Sequence, residues 1–525
     1  MAGRRAAVDN RIMLRASGAD QLGAKSETAD PIRIRYAWLG VLALALLIRI
    51  PLVLQPACID RNGVQFVEYA RRIDDGPVQA MRETRRQPGF AVLLLWTHRM
   101  AGGWLGGDSP ESWQRCGELL ALVGGVGVCV AIYVLTRRLF DERVALLAGA
   151  LAVAWPQGAE MSAQVLSDMP HLAVYLLAML LAYDALRSGR LLSLAAAGFV
   201  AGVAYLIRQE AIGLVAAAAI CWVAWGKRSQ PRRRWLGLVG LIGGFVVAAA
   251  PHSVITGQWM PNKNPADFLR MMNDSVSGAL PGGLTLAYAA PRWKIPGRLV
   301  EEWAKSGRYV IATLFLIAMV LRSAPRAEPN GRRLVAMAAA IEAILLIGRS
   351  EGYGEYSARY VVILVALCVP WAAGGWLALM RRATRRIALG IVVLVPLCVM
   401  GAYLVRPVYA GKEQLRLAGQ WLGGHAGAGE RVLAHEQLEQ IMFYAGRTYP
   451  DRTWVRCDRS DDAARLKAII SRERLAWFVD AEDSHRGELD ERAHFAGLAD
   501  GSIPALRLEL AVGREGRRAF VYRVE

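Results

Sequence analysis

Long apolar segments alternate with polar ones along most of the chain. Each apolar run has roughly 17 to 22 residues, the length of helix that crosses a hydrocarbon core of about 30 Å. By number, the runs are 37–54, 116–136, 143–159, 168–186, 191–207, 211–226, 235–255, 307–322, 333–348, 360–380 and 386–405. This pattern predicts a mostly α-helical polytopic membrane protein with about eleven transmembrane helices.

The two ends of the chain have a different composition from the middle. Residues 1–36 are polar and rich in arginine, which predicts a disordered tail. The transmembrane part occupies 37–408. Residues 409–525 read as a small soluble α/β domain, with helical patterns at 412–423 and 461–473, strand patterns at 431–435 and 475–480, and a final hairpin of 505–512 and 518–524.

The charge distribution predicts the orientation of the chain in the membrane. The formal charge is +18, and five short connections between apolar runs are almost purely basic. Basic connections stay in the cytoplasm, so we expect the N-terminal tail there too. The other connections then face outward, including the long loops 55–115 and 256–306, and eleven crossings place the C-terminal domain outside. The charge is an orientation signal, and no nucleic-acid partner is predicted.

The connections predicted to face outward carry most of the chemically capable side chains. Carboxylates and cations together suit a reaction in which an acid activates a hydroxyl while cations hold a phosphate. The candidates are Asp60, Asn62, Glu68, Asp168, His171, Arg208, Glu210, Lys263, Glu355, Arg359 and Tyr360.

Several short motifs occur in a characteristic order along the chain. They are an acid-bearing first loop followed by Phe66 and Ala70, Gln-Pro-Gly-Phe at 87–90, Arg-Arg-Leu-Phe at 137–140, Val-Leu-Ser-Asp at 165–168, Arg-Gln-Glu-Ala at 208–211, Ser-Ala-Arg-Tyr at 357–360, and Phe-Tyr-Ala-Gly-Arg at 443–447. In this order the chain resembles the C-type glycosyltransferase superfamily, in its branch of protein O-mannosyltransferases and lipid A aminoarabinose transferases.

The resemblance implies a fold, an activity and a location. We expect an inverting transferase in a bacterial cytoplasmic membrane that moves a sugar from a polyprenyl-phosphate donor to a lipid, protein or glycan acceptor on the periplasmic face. Asp60 would be the base, with Asp168 as a second catalytic acid. Arg359, helped by Arg208 or Lys263, would hold the donor phosphate. This branch implies no metal cofactor, and the lipid-linked sugar is a substrate.

The sequence departs from these relatives in the first loop, where the register of their acid falls on Asn62, two residues after Asp60. Each candidate also has a plain structural interpretation. Asp60 could cap a helix, Asp168 could lie at a helix start because of the helix dipole, and an interfacial arginine such as Arg208 could simply reach toward the membrane surface.

Two other classes of protein fit the same residues. One is a transporter or flippase for polyprenyl-linked sugars, for which the mid-span Glu342 would line a path. The other is a non-catalytic subunit that binds such lipids, which Asn62 in place of an acid would permit. The absence of a clear internal repeat counts against the transporter.

Overall fold

The computed structural model describes most of the chain between residues 36 and 525. The described residues are 36–55, 57–84, 86–226, 231–257, 295–321, 325, 327–353, 359–383, 386–404, 411–435, 438–447, 453–457, 468–470, 472–481, 506–514 and 517–525. Contacts divide the chain into a short unit, Met1–Gly40, and a large unit, Val41–Glu525. All contacts described below lie within the large unit.

The first half of the chain is helical. Its helices are α1 (Ala37–Val53), α2 (Arg61–Asp75), α3 (Pro77–Glu83), α4 (Gly89–Ala101), α5 (Pro110–Leu139), α6 (Glu142–Ala154), α7 (Pro156–Met161), α8 (Asp168–Ser188), α9 (Leu191–Ile207), α10 (Ala211–Trp225) and α11 (Pro231–Thr256). A 3₁₀ turn, Gly102–Trp104, follows α4.

Helices continue to residue 404, and a small domain with a sheet follows. The helices are α12 (Ile295–Ser306), α13 (Val310–Val320), α14 (Pro329–Tyr353), α15 (Val362–Arg382) and α16 (Arg386–Leu404). The C-terminal domain contains α17 (Glu413–His425), β1 (Val432–His435), α18 (Glu439–Tyr444), β2 (Trp454–Cys457), β3 (Trp477–Ala481), β4 (Leu506–Arg514) and β5 (Arg517–Val524).

Every one of the eleven predicted apolar runs contains a helix. Among the described residues, four helices, α5, α8, α11 and α15, are long and apolar enough to cross a membrane. The pair α12 and α13 would make a fifth span if its bend of 108° lies within one crossing. Helices α1, α9 and α10 are apolar but shorter. The prediction of a mostly helical, multi-pass membrane protein is therefore confirmed at this coarser level.

Two of the predicted runs are broken for local reasons. The run 143–159 divides at Trp155 because the next residue, Pro156, forces its predecessor into an extended conformation. Before α13, Arg308 and Tyr309 have φ angles of 49° and 61°, which end the preceding helix. The Trp155 indole donates a hydrogen bond of 2.9 Å to the carbonyl of Ser306, so the two breaks lie against each other.

The C-terminal domain contains a small mixed sheet, and four of its strands, β1, β3, β4 and β5, correspond to the predicted strand patterns. The strand order is β2-β1-β3-β5-β4, with β1 parallel to β2 and β3, and β5 antiparallel to β3 and β4. Strand β2 and helix α18 were not predicted, and most of the predicted helix 461–473 lies outside the described residues. One hydrophobic core joins this domain to α2, α4 and the start of α5.

Candidate active site

Asp168 is the buried centre of the first polar cluster. It is the first residue of α8, and its side chain is 1% exposed. The sequence Asp-Met-Pro suits a helix start, because the first turn needs no amide donor at Pro170 and favours a carboxylate near its free N–H groups. The helix start alone does not account for a buried carboxylate. Two arginines pair with Asp168 and offset the cost of removing its charge from water.

Two guanidinium groups from distant turns converge on this carboxylate. Arg208, which follows α9, donates from Nη1 to Asp168 Oδ1 at 2.8 Å. Arg359, which precedes α15, donates from Nε to Asp168 Oδ2 at 2.7 Å, and its Nη2 lies 2.7 Å from the same oxygen. Each oxygen of the Asp168 carboxylate therefore accepts a hydrogen bond from a guanidinium.

Glu210 completes the cluster around Arg208. Its Oε1 accepts a hydrogen bond of 3.1 Å from Nη2 of Arg208. Burial lowers the pKa of Arg208, but Asp168 and Glu210 outweigh this effect and raise the pKa above its ordinary value. The cations Arg208 and Arg359 thus balance the two carboxylates, and these four groups carry no net charge.

Glycines allow the turns of the site to approach each other. A Cβ on Gly63 of α2 would lie 2.9 Å from Cγ1 of Ile59 and 3.0 Å from Cβ of Val165. A Cβ on Gly89, at the start of α4, would lie 2.6 Å from the carbonyl oxygen of Leu206. Gly63 therefore brings the first loop against the segment before Asp168, and Gly89 brings the turn before α4 against the end of α9.

Asp60 begins the second polar cluster as the N-cap of α2. Its Oδ1 accepts hydrogen bonds from the backbone N–H of Asn62 at 2.8 Å and from the Asn62 side-chain amide at 3.0 Å. The capping interpretation is thus what the geometry shows, and a capping oxygen keeps the carboxylate at a fixed place. Glu68 lies further along α2 and pairs with Arg72 at 3.7 Å.

Arg86, Gln65 and Glu439 form a further polar group, and sequence analysis did not select them. Arg86 donates to Gln65 Oε1 and lies 5.5 Å above the ring of Phe66. Gln65 donates to Glu439 Oε2 at 2.9 Å. Burial lowers the pKa of Arg86; Glu439 opposes this shift, while Arg359 and Arg61 add to it.

The signal that could have found Arg86 is its place beside the Gln-Pro-Gly-Phe motif. Glu439 had no comparable signal, because it lies more than 370 positions from Gln65 in the sequence. It also pairs with Arg61 at 3.5 Å. The C-terminal domain therefore contributes a buried carboxylate to the same region.

The remaining candidates divide into three groups. Tyr360 lies close enough to Arg208 and Arg86 to affect the pKa of each. His171 is buried one turn after Asp168, and its Nε2 has no hydrogen-bond partner among the described residues. Lys263 and Glu355 lie outside the described residues. Within the part of the chain that the structure describes, no group of three or more His, Cys, Asp or Glu side chains could hold a metal ion.

Comparison with known proteins identifies the architecture. Residues 115–254 match the family model of dolichyl-phosphate-mannose-protein mannosyltransferases. No protein of curated function matches the sequence at a significant level.

Solved structures give the more extensive match. ArnT from Cupriavidus metallidurans bound to undecaprenyl phosphate is similar over 93% of this chain and 98% of its own, with 14% identity and a TM-score of 0.55. The apo oligosaccharyltransferase of Archaeoglobus fulgidus is similar over 93% and 74%, with 16% identity and a TM-score of 0.55. The same archaeal enzyme, AglB, in complex with an inhibitory peptide and a dolichol-phosphate gives 15% identity over the same shares and a TM-score of 0.52. Residues 115–254 therefore resemble the mannosyltransferase family, and the chain shares the fold of ArnT and of the archaeal oligosaccharyltransferase over 93% of its length.

Proposed function

We propose that this protein is an integral membrane glycosyltransferase that moves a sugar from a polyprenyl-phosphate donor to an acceptor at the outer face of a bacterial cytoplasmic membrane. The observation that carries the proposal is the partly buried guanidinium of Arg86 near the Asp168 cluster. Within the described residues Arg86 has no carboxylate at salt-bridge distance, and its hydrogen-bond partner is the neutral Gln65. A partly buried cation of this kind is stabilised by a bound anion.

The charge balance favours Arg86 as the first contact of the donor phosphate. Arg208 is saturated by Asp168 and Glu210, whereas Arg86 keeps donors free of carboxylate partners in the described part of the chain. Arg359 is close enough to Arg86 to lower the pKa of Arg86, so a phosphate at Arg86 is also within the field of Arg359. Two guanidiniums at one phosphate stabilise the charge that the leaving group develops.

Asp60 suits the role of base better than Asp168. Both oxygens of Asp168 accept from guanidiniums, so it anchors cations. In the proposed reaction Asp60 removes the proton of an acceptor hydroxyl while the oxygen of that hydroxyl bonds to the anomeric carbon. The bond from that carbon to the donor phosphate oxygen breaks, and prenyl phosphate leaves with the electron pair, which inverts the anomeric carbon.

The same proposal includes the orientation and the domain division. Helices α8 and α15 have site residues at or just before their first residue and arginines in their last turn: Asp168 opposes Arg187, and Arg359 opposes Arg381 and Arg382. A helix of 21 residues is about 31 Å long, close to a hydrocarbon core. We therefore place the N-terminal tail, 1–36, inside, eleven crossings within 37–408, and the domain 409–525 in the periplasm with the site.

The experiment uses the purified protein in lipid nanodiscs and two readouts. Undecaprenyl phosphate is the binding probe, and Arg86→Gln should weaken its binding by about 10- to 100-fold, the effect of losing a charge-assisted hydrogen bond. Arg99→Gln is the matched control, because Arg99 is exposed and already pairs with the exposed carboxylate of Asp74. Equal binding by all three proteins would remove Arg86 from the site.

Transfer is then tested with a panel of polyprenyl-phosphate sugars and lipid, peptide and glycan acceptors. Asp60→Asn should abolish transfer while undecaprenyl phosphate still binds. The buried Glu342, at 1% exposure within α14, is the observation that favours the rival transporter. Movement of a lipid-linked sugar across sealed vesicles without a new glycosidic bond would decide for that rival. Donor binding without transfer or movement would decide for a non-catalytic subunit.

A further inference from the structure

Helix α18 of the C-terminal domain lies directly against the first loop. Its residues Ile441 to Tyr444 share one hydrophobic core with Cys58, Ile59 and Val64. The residues at its two ends reach the segment that contains Asp60: Glu439 pairs with Arg61, and Tyr444 contacts Ile59. Helix α18 therefore contacts the residue before the proposed base, Asp60, and the residue after it.

Side chains of α18 hold both polar main-chain groups of Ile59, the residue before Asp60. The backbone N–H of Ile59 donates to the phenol oxygen of Tyr444 at 2.8 Å. The carbonyl of Ile59 accepts from the side-chain amide of Gln440 at 3.3 Å. Ile59, Gln440 and Tyr444 are all buried, and buried main-chain groups that lose their partners are costly.

The phenol of Tyr444 also donates a hydrogen bond, so it links three parts of the chain. Its acceptor is Gln114 Oε1 in α5 at 2.6 Å, and the amide of Gln114 donates in turn to Glu118 at 2.7 Å. Burial raises the pKa of Tyr444, so the phenol keeps its proton and can donate. The first loop, the C-terminal domain and a long apolar helix thus meet at one hydroxyl group.

We propose that Tyr444 is a positioning residue for the proposed transferase: the C-terminal domain fixes the main chain before Asp60 and thereby sets where that carboxylate lies. This inference rests on the proposed function for its effect on catalysis. The clamp itself is a structural claim, and it has its own measurement. Asp60 is doubly fixed, because α18 holds the residue before it and Asn62 holds its side chain.

The test replaces Tyr444 by Phe in the full-length protein in nanodiscs. Tyr69→Phe is the matched control: Tyr69 is buried in α2, burial raises the pKa of its phenol to about 12, and its hydroxyl has no hydrogen-bond partner among the described residues. Both changes remove one buried hydroxyl, but only the change at Tyr444 removes a hydrogen bond to the first loop and one to α5. Gln440→Met is a second variant that loses only the contact to the Ile59 carbonyl.

Hydrogen exchange decides whether the clamp exists. In Tyr444→Phe we expect peptides that cover residues 58–66 to exchange about tenfold faster than in the parent protein, because Ile59 loses its acceptor and α2 loses support at its start. Gln440→Met should show a smaller effect in the same peptides, and Tyr69→Phe none. Unchanged exchange in Tyr444→Phe would overturn the clamp.

Kinetics decide whether the clamp positions the base. We expect kcat for transfer to fall by about tenfold or more in Tyr444→Phe, with the KM for the donor and the affinity for undecaprenyl phosphate within about twofold of the parent. Faster exchange with an unchanged kcat would overturn the positioning role, as would a change in KM alone. If the parent protein transfers no sugar, the proposed function fails, whereas the exchange measurement still decides the clamp.

Discussion

Replacement of Asp168 by Asn tests whether the buried ion cluster holds the helices together. Asparagine keeps the shape of the side chain but removes its charge. Arg208 and Arg359, which now share the carboxylate at 2.8 and 2.7 Å, would face each other without an anion between them. The cluster would change from no net charge to one positive charge inside the protein.

The size of the effect follows from the burial of the three side chains. Asp168 is 1% exposed, Arg208 15% and Arg359 20%. Removal of one partner from a buried ion pair costs about 3–5 kcal/mol, because the remaining charge stays desolvated. Arg208 keeps Glu210 at 3.1 Å, so we expect the lower end, about 3 kcal/mol.

Thermal unfolding in one detergent gives the comparison, and Asp184→Asn is the control. Asp184 lies near the other end of the same helix and pairs with Arg138 at 2.5 Å, but its side chain is 42% exposed. Exposed pairs contribute about 0–1 kcal/mol, so Asp184→Asn should leave the midpoint nearly unchanged while Asp168→Asn lowers it clearly.

A second change separates charge repulsion from a loss of packing. Arg359→Gln in the Asp168→Asn background removes one of the two facing guanidiniums and should restore part of the lost stability. The reasoning is refuted if Asp168→Asn and Asp184→Asn lower the midpoint equally. It is also refuted if the double variant unfolds at a clearly lower temperature than Asp168→Asn alone, because removal of the Arg359 charge would then destabilise the protein further.

Two further predictions concern packing and pH. Gly63→Ala should lower the free energy of unfolding by about 1–3 kcal/mol, because its Cβ would lie within 3.0 Å of Ile59 and Val165. Gly76→Ala, with open space around it, should be neutral. Equal effects of the two changes would contradict the packing argument. Burial raises the pKa of Glu430, but hydrogen bonds from Trp477 and Arg523 outweigh this and leave the pKa below its ordinary value of 4.5. The contribution of ionised Glu430 to folding stability is therefore present above pH 4.5 and lost as the pH falls further. Glu430→Gln should reduce the acid sensitivity of the C-terminal domain, as followed by circular dichroism. An unchanged acid profile would argue against the pairing of Glu430 with Trp477 and Arg523.

Hydropathy predicted the helices well because length and apolar composition are local properties. The predicted run 191–207 coincides with α9, Leu191–Ile207, and the hairpin 505–512 and 518–524 corresponds to β4 and β5. The same reasoning could not show how α12 bends into α13, because the left-handed conformations of Arg308 and Tyr309 leave no mark in an apolar pattern. It also missed β2, four residues whose pairing with β1 depends on a neighbour in the sheet.

The sequence allowed candidate residues to be selected by type, but it could not show which of them would pair. Asp168, Arg208 and Arg359 were selected from the sequence, and the structure brings all three together. The Asp168 carboxylate accepts hydrogen bonds from both arginines, a pairing that the sequence analysis did not predict, and its catalytic role stays a prediction. Glu439 and Tyr444 were not selected, because nothing local indicates that α18 packs on a loop nearly 400 residues earlier.

The arrangement of the first loop gives a physical account of the acid that is missing at position 62. Asn62 donates to the carboxylate of Asp60 through both its backbone N–H and its side-chain amide. An acid at position 62 would instead set a second carboxylate about 3 Å from the first, and like charges at that distance repel each other. Because Asn62 is a donor, it holds the carboxylate of Asp60 at a fixed place, while α18 holds the main chain just before it. Asp60 and Asn62 therefore act together: the carboxylate of Asp60 lies at the start of α2, and the side-chain amide of Asn62 orients it.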